Sequence, residues 1–416
     1  MTRTEPMLLP KRVLPALTML VLSASMTTGS AGRTLEPLSS PMVERRLSVV
    51  DQRTIAAAIT DARETIARRG GVNYVIRLPA GTFELNGAAA TGGGTIDVSR
   101  IDACPGRLTI TGAGADRTKL ITDDRLVGII GRATRCVTIA DLTMTQRRIE
   151  MSQGKVFATT PDAVVLDIPR GFPTPADLMP RDREIGRNGR EVMRRWMKKY
   201  VDTPTGPQIV VDQVQAMWSG ATRIAGAPNR WRIQLVVRPV MPAYRPGDLI
   251  GLKSKSGEDS YRFINADRIT LRGVRWSVET RGVFRMTDNV RIENCSIVRP
   301  APINGVRWAM ASSSGGPQIG QPSDPMTQGH IVVNNDFQAT GDDALMFAHA
   351  NGVARGNRIS DTFGSAIRIY ESPGLTLSGN VTVRAPILRV RDGLLERPGP
   401  SIRRMSRANG VEPDRL

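Results

Sequence analysis

The chain has 416 residues, of which 40% are hydrophobic, 23% charged and only 4% aromatic. That excludes a mini-protein and a disordered chain, because enough apolar side chains are present to build a sizeable core. The formal net charge of +18 is carried by Arg, since only seven of the 57 basic residues are Lys. The Arg residues are spread along the chain and aromatics are sparse, which argues against a nucleic-acid binder with one basic face and stacking platforms. A coding bias toward Arg and attraction to an acidic polymer are the two readings left.

At the N-terminus Lys11 and Arg12 precede the apolar run Val13–Leu22, and Gly29-Ser30-Ala31 is a small-residue exit. This pattern predicts a secretory signal over residues 1–31, hence a secreted or periplasmic protein with no membrane span after signal removal. Cys104, Cys136 and Cys295 have no paired spacing that suits zinc or a dithiol motif. Their odd number argues against a complete disulfide framework, and Cys136 and Cys295 read as small buried thiols within apolar strands.

Ile55, Ala58, Ile59, Ala62 and Ile66 recur at three- and four-residue spacing and predict a helix over 51–69. Val75–Leu85 follows as strand, Pro/Gly turn and strand. A helix in that place covers the open end of a sheet solenoid. Short strands then alternate with Gly, Asn and Asp, as in Arg107–Gly112 and Val137–Leu142. After residue 260 such segments overlay at a period of about 22 residues, with Gly273, Asn294, Asn335, Asn357 and Asn380 at the turn. A period of that size with alternating apolar strands suits a parallel β-solenoid, and stacked Asn side chains suit a hydrogen-bonded ladder.

Residues 150–260 break the period and read as an inserted β-rich subdomain. Gly189–Tyr200 reads as a basic amphipathic helix, strand-like pieces lie at 208–216 and 232–239, and Pro246-Gly247-Asp248 turns into Leu249–Leu252. The expected organisation is therefore a cap and first coils over 50–149, the insertion over 150–260 and main coils over 261–383. Residues 384–416 form an Arg-rich, poorly ordered tail.

The polar run Ser312–Asp324 precedes Thr340-Gly341-Asp342-Asp343-Ala344. On the cap, the rungs, the Asn turns and this Gly-Asp-Asp-Ala segment, the chain resembles the right-handed parallel β-helix proteins of the pectin-lyase-like superfamily. Gly341-Asp342-Asp343 is similar to the signature of polygalacturonase-type glycoside hydrolases and to a segment of the β-helix α-1,3-galactosidases. Ile367-Arg368-Ile369-Tyr370 partly resembles the Arg-Ile-Lys segment of the former, while Ser312–Gly316 stands where that family carries Asn-Thr-Asp. The resemblance implies an all-β, right-handed single-stranded parallel β-helix and an inverting hydrolase in which carboxylates act as acid and base.

Placing Phe337 on Ile359 puts Asp342 over Gly364, Asp343 over Ser365, Met346 over Arg368, Ala348 over Tyr370 and His349 over Glu371. Small residues at 364 and 365 are expected to leave space beneath the carboxylates. Asp342, Asp343 and His349 are the candidate catalytic groups, and Asp324, Arg368, Tyr370 and Glu371 the candidate substrate-binding groups. The expected partner is a polysaccharide or other glycan, acidic in one reading, with no nucleic acid and no cofactor. A second reading is a lyase acting on uronic-acid polymers by β-elimination, with Asp342, Asp343 and Asp324 holding Ca²⁺ and Arg368 as base. A third is a surface solenoid that binds glycan without catalysis.

Overall fold

The computed structural model describes residues 41–86, 93–123, 126–179, 195–211, 215–236, 243–254, 258–278, 281–391 and 394–395. The expected signal segment and the end of the Arg-rich tail lie outside these residues.

The helix forms where the apolar spacing placed it, over Gln52–Arg69. Asp51 caps it by accepting from the Thr54 amide, Thr54 reciprocates to the Asp51 amide, and Gly70 ends it at φ 59°. Its buried face, Ile55, Ala58, Ile59, Ala62 and Ile66, packs on the first rungs and seals the apolar core at that end.

From Asn73 onward the chain winds through coils that each give one strand to each of three parallel sheets. One coil, for instance, comprises Thr327–Val333, Asp336–Gln338 and Leu345–Ala348, and the next Ala350–Arg355, Arg358–Ser360 and Ile367–Tyr370. The winding is that of a right-handed parallel β-helix, the hand that parallel crossovers prefer. Alternate side chains point inward, so Ile292, Val332, Phe337, Phe347, Ile359, Ile367 and Ile369 form one continuous core.

The turn between the first and second strands of a coil repeats in two adjacent columns, which the sequence overlay merged. Asp141, Gly273, Asn294, Asn334, Gly356 and Gly379 occupy the left-handed region, with φ between 53° and 64°. The next residue carries the ladder. The Asn335 amide donates to Asn357 Oδ1 at 2.8 Å, and the Asn357 amide to Asn380 Oδ1 at 2.8 Å. Asn294 is therefore a turn residue rather than a ladder residue. Cys295 takes the ladder place, with its backbone N–H donating to Asn335 Oδ1 at 2.8 Å.

The insertion leaves the coil after Thr143–Gln146 and returns at Tyr261–Ile264. Six of its strands close into an antiparallel barrel: Met151–Thr160, Ala163–Asp167, Arg230–Leu235, Ala216–Arg223, Trp196–Val201 and Leu249–Lys253, which pairs back to the first. Closure leaves no open edge, which is how so small a sheet avoids exposed ladder groups. Its core (Val164, Leu166, Trp218, Ile233 and Leu252 among others) continues into Trp308, Met310 and Phe363 of the β-helix.

The structure departs from three expectations. Trp196–Val201 is a strand, not the end of a basic helix, because pairing on both sides overrides the helical spacing; residues 189–194 lie outside the described set. Cys136 is not a free thiol: it forms a disulfide with Cys104, since the N-terminal coils bring together two residues that lack local spacing. Cys295 does stay reduced, and burial pushes its thiol up to about 12. Finally, the solenoid does not stop at 384, because Ile387–Arg391 pairs in parallel with Ile367–Tyr370.

Candidate active site

Thr340–Ala344 forms the corner between Asp336–Gln338 and Leu345–Ala348. Three glycines on three successive coils let the backbone stack there. A Cβ on Gly341 would lie 2.5 Å from the Ser312 carbonyl oxygen, one on Gly315 2.4 Å from that of Asp343, and one on Gly364 2.6 Å from Asp343 Oδ1. The Gly316 N–H donates to the Asp343 carbonyl at 3.0 Å, and the Ala344 N–H to that of Ser365 at 2.9 Å. Ladder hydrogen bonding thus holds the Gly-Asp-Asp corner from both sides. The small residues at 364 and 365 leave no space beneath the acids; they let the next coil close in against them.

Asp343 is the anchored acid. Its Oδ1 accepts from the Ser365 N–H at 2.7 Å and from the Ser365 hydroxyl at 2.5 Å. Its Oδ2 lies 2.8 Å from Arg368 Nε, an ion pair in which the Nε–H does not point at the oxygen. Only 12% of the Asp343 side chain is exposed. Burial, and then the neighbouring charge of Asp342, raise its carboxyl above the usual range, against the opposing pull of Arg368 and Ser365. Asp342 is half-buried beside it.

The counter-charge comes from the barrel. Lys253, at the end of Leu249–Lys253, is 2% exposed and donates to the Gly341 carbonyl oxygen. Its ammonium lies 4.5 Å from the Phe363 ring centroid and 5.0 Å from that of Trp196. Burial lowers its pKa, and Asp342 and Asp343 oppose that shift. Beside it Lys198 and Gln215 donate to the Phe363 carbonyl at 3.1 and 3.2 Å. Two acids thus face two cations, Lys253 and Arg368, where barrel and β-helix meet.

The remaining candidates fall into separate places. Arg368 stands over Met346, and Nη1 of Arg368 donates to the Tyr370 hydroxyl at 3.2 Å. Those two groups run from the acid pair along the strand. His349 stands beyond the far end of the strand Leu345–Ala348, six residues on from Asp343, where Nε2 meets Glu371 Oε2 at 2.9 Å and Nδ1 the Asp324 carbonyl at 2.8 Å. It therefore contacts Glu371 and Asp324 rather than Asp342 and Asp343. The Asp324 carboxylate is spent on Arg285, at 2.5 Å, with 1% of its side chain exposed, so it is an internal ion pair and not a substrate-binding group. Asp342, Asp343 and Asp324 do not converge into a Ca²⁺ cage, and among the described residues no three acids, His or Cys do so. Trp276 and Trp308 are core residues at 3% and 1% exposure.

Sequence reasoning missed Lys253, Lys198, Trp196 and Phe363, because the insertion hides their approach to a corner 88 residues further along. One signal was present. In a chain with seven Lys among 57 basic residues, a Lys ending the apolar run Leu249–Leu252 is a residue whose type is not explained by the Arg bias.

No protein-family description matches the sequence, and no curated protein is significantly similar to it. Among solved structures the chain is similar to the catalytic domain of an α-1,3-glucanase of glycoside hydrolase family 87 in complex with tetrasaccharides, at 11% identity and a TM-score of 0.37 over 85% of this chain and 40% of that one. It is also similar to the catalytic unit of the corresponding enzyme from Streptomyces thermodiastaticus, at 12% identity and a TM-score of 0.35 over 85% of this chain and 48% of that one. A pectin methylesterase in complex with a hexasaccharide matches at 8% identity and a TM-score of 0.33, over 86% of this chain and 92% of that one. The chain spans less than half the length of the two glucanase units. The parallel β-helix of this chain is established by its own strand pairing.

Proposed function

We propose that the protein is a carbohydrate-active enzyme, a glycoside hydrolase working at Asp342 and Asp343. The observation that carries the reading is the adjacent carboxyl pair held at a coil corner, one member anchored and pushed toward its protonated form. Hydrolysis of a glycosidic bond needs a proton for the leaving oxygen and an activated water at the sugar carbon. Asp343, which keeps its proton to higher pH, is assigned the acid. Asp342, beside the buried Lys253 ammonium, is assigned the base that polarises water. An inverting course asks for carboxyl groups roughly 6.5–9.5 Å apart with that water between them. Arg368 and Tyr370 extend from the pair along the outer face of the strand and are assigned to substrate binding. Glu371 and His349, at the far end, are assigned to a more distant part of the same chain of sugars.

Export is part of the proposal. The Cys104–Cys136 disulfide supports an oxidising compartment, and no described helix is long and apolar enough to cross a membrane. The Asp324 carboxylate is held by Arg285 and does not join Asp342 and Asp343 as a Ca²⁺ set, which weighs against the lyase reading.

Digestion of a glycan panel, reading both new reducing ends and unsaturated products, tests the proposal. New reducing ends without unsaturation are expected, with a loss of about 10²–10⁴-fold in Asp342→Asn. Unsaturated products would replace hydrolysis by elimination. No product from any glycan, with binding retained in Asp342→Asn and Asp343→Asn, would leave a glycan-binding solenoid.

A further inference from the structure

A cleft of about 710 Å³ lies on the barrel, away from Asp342 and Asp343. We infer that this cleft is a second binding site, for an acidic oligosaccharide. The inference goes beyond the reading of the acid pair and does not depend on it.

The cleft runs between the barrel strands Met151–Thr160 and Ala163–Asp167 and the turn at Asn304-Gly305, which projects from the β-helix. Four cations line it, Lys155, Arg170, Arg230 and Arg307, against two carboxylates, Asp167 and Asp202. Arg230 is committed: it grips Asp167 through Nε at 2.7 Å and Nη2 at 3.0 Å. Lys155, Arg170 and Arg307 are exposed and have no carboxylate partner among the described residues. The cleft is thus left with a surplus of positive charge that neutral sugar or plain solvent does not require.

The cations are held in place rather than scattered. Gln153, 2% exposed, donates to the Arg307 carbonyl at 2.9 Å and accepts from the Ala309 N–H, which pins the turn to the barrel. Asn304 adopts φ 49° and its amide donates to the Arg170 carbonyl at 3.0 Å. The Arg307 guanidinium is steadied by the Thr203 carbonyl at 3.3 Å. One short turn therefore sets the spacing of Arg170 and Arg307. Such preorganisation lowers the ordering cost of binding.

The walls identify the class of anion. Pro169, Pro207, Pro228 and Val306 supply rigid aliphatic surface, and among the described residues no aromatic ring lines the cleft, the Phe157 ring being stacked on the Arg230 guanidinium at 3.3 Å. Nucleic acid is bound through ring stacking as well as charge, and that component is missing. Aliphatic walls with separated cations match the C–H faces and spaced anionic groups of a uronate or sulfated sugar chain. The volume lies within the range of small-ligand sites, roughly 300–1,000 Å³.

The test is binding of labelled oligogalacturonate to the full chain. Competitors are a sulfated oligosaccharide, a neutral malto-oligosaccharide and a single-stranded oligonucleotide. Arg170→Ala/Arg307→Ala should weaken oligogalacturonate by more than about tenfold, and so should Lys155→Glu, a surface change that leaves the turn intact. Salt should weaken binding, and the neutral sugar should not compete. A loss in Arg170→Ala/Arg307→Ala and in Lys155→Glu, none of which lies at the acid pair, separates this site from it. Stronger competition by the sulfated sugar would support the inference and set the anion. Equal binding by all variants, tighter binding of the oligonucleotide, or no binding of either acidic sugar would overturn it.

Discussion

Ser365 donates twice to one oxygen of Asp343, through its backbone N–H at 2.7 Å and its hydroxyl at 2.5 Å. The two residues are 22 apart in sequence, the length of one coil, so the acid is oriented by the rung that follows it. Hydrogen bonds to a carboxylate favour its charged form, while burial and Asp342 disfavour it. Ser365→Ala removes one of the two donors and should raise the Asp343 pKa further. The alkaline limb of any hydrolytic pH profile, where the acid loses its proton, should move to higher pH. The loss of a hydrogen bond to a charged group should cost about 1.5–3 kcal/mol at neutral pH, read by urea unfolding. An unmoved profile would detach Asp343 from the chemistry.

Lys253→Met keeps the length of the side chain and removes its charge. The Gly341 carbonyl loses a buried donor, and Asp342 and Asp343 lose a counter-ion. Breaking a buried pair from one side costs about 3–5 kcal/mol. If the cluster acts as one unit, Lys253→Met/Asp342→Asn should lose less than the sum of the two single changes. A double-mutant cycle by chemical denaturation measures that coupling, and strict additivity would refute it.

Asn357→Ala cuts the middle of the Asn335–Asn357–Asn380 ladder. It removes the acceptor of the Asn335 backbone and side-chain amides and the donor to the Val332 carbonyl. Each buried group left unsatisfied costs about 1–3 kcal/mol, so the variant should be among the least stable single substitutions in these coils. Asn294→Gly should be tolerated far better, because φ 53° at that position suits glycine. Thermal melts of the two variants should differ clearly, and equal melts would contradict the two-column turn.

The chain contains only His330 and His349, so its imidazole resonances are simple to follow by NMR. His349 should titrate above 6.5, because the Asp324 carbonyl and then Glu371 favour its charged form. Its contribution to stability is full below 6.5 and is lost as pH rises through the folded value. Glu371→Gln should lower that value. His330 is buried against Thr327 and should titrate only at about 4, because burial disfavours its charge. Its contribution has the opposite sense: it is present above 6.5 and is lost as pH falls from there toward 4.

The repeat was legible because a solenoid buries its core with neighbours close in sequence, so that period, turn and inward side chains recur along the chain. That is why the coil overlay placed Met346 on Arg368, Ala348 on Tyr370 and His349 beside Glu371 as the structure does. The overlay drifted by one residue only where the left-handed turn and the ladder adopt similar residue types in adjacent columns, at Asn294 and Cys295.

Residue order alone therefore determined the winding, the helical cap and the neighbours of the Gly-Asp-Asp corner on the following coil, all of which depend on separations of one period or less. Tertiary structure decided everything that crosses a longer gap: closure of the barrel, the Cys104–Cys136 bridge, the approach of Lys253 to Gly341 and the loss of the Asp324 carboxylate to Arg285. Those pairings join segments with no common period. Their partners are set by burial and by the need to neutralise charge out of water, and neither leaves a local pattern in the chain.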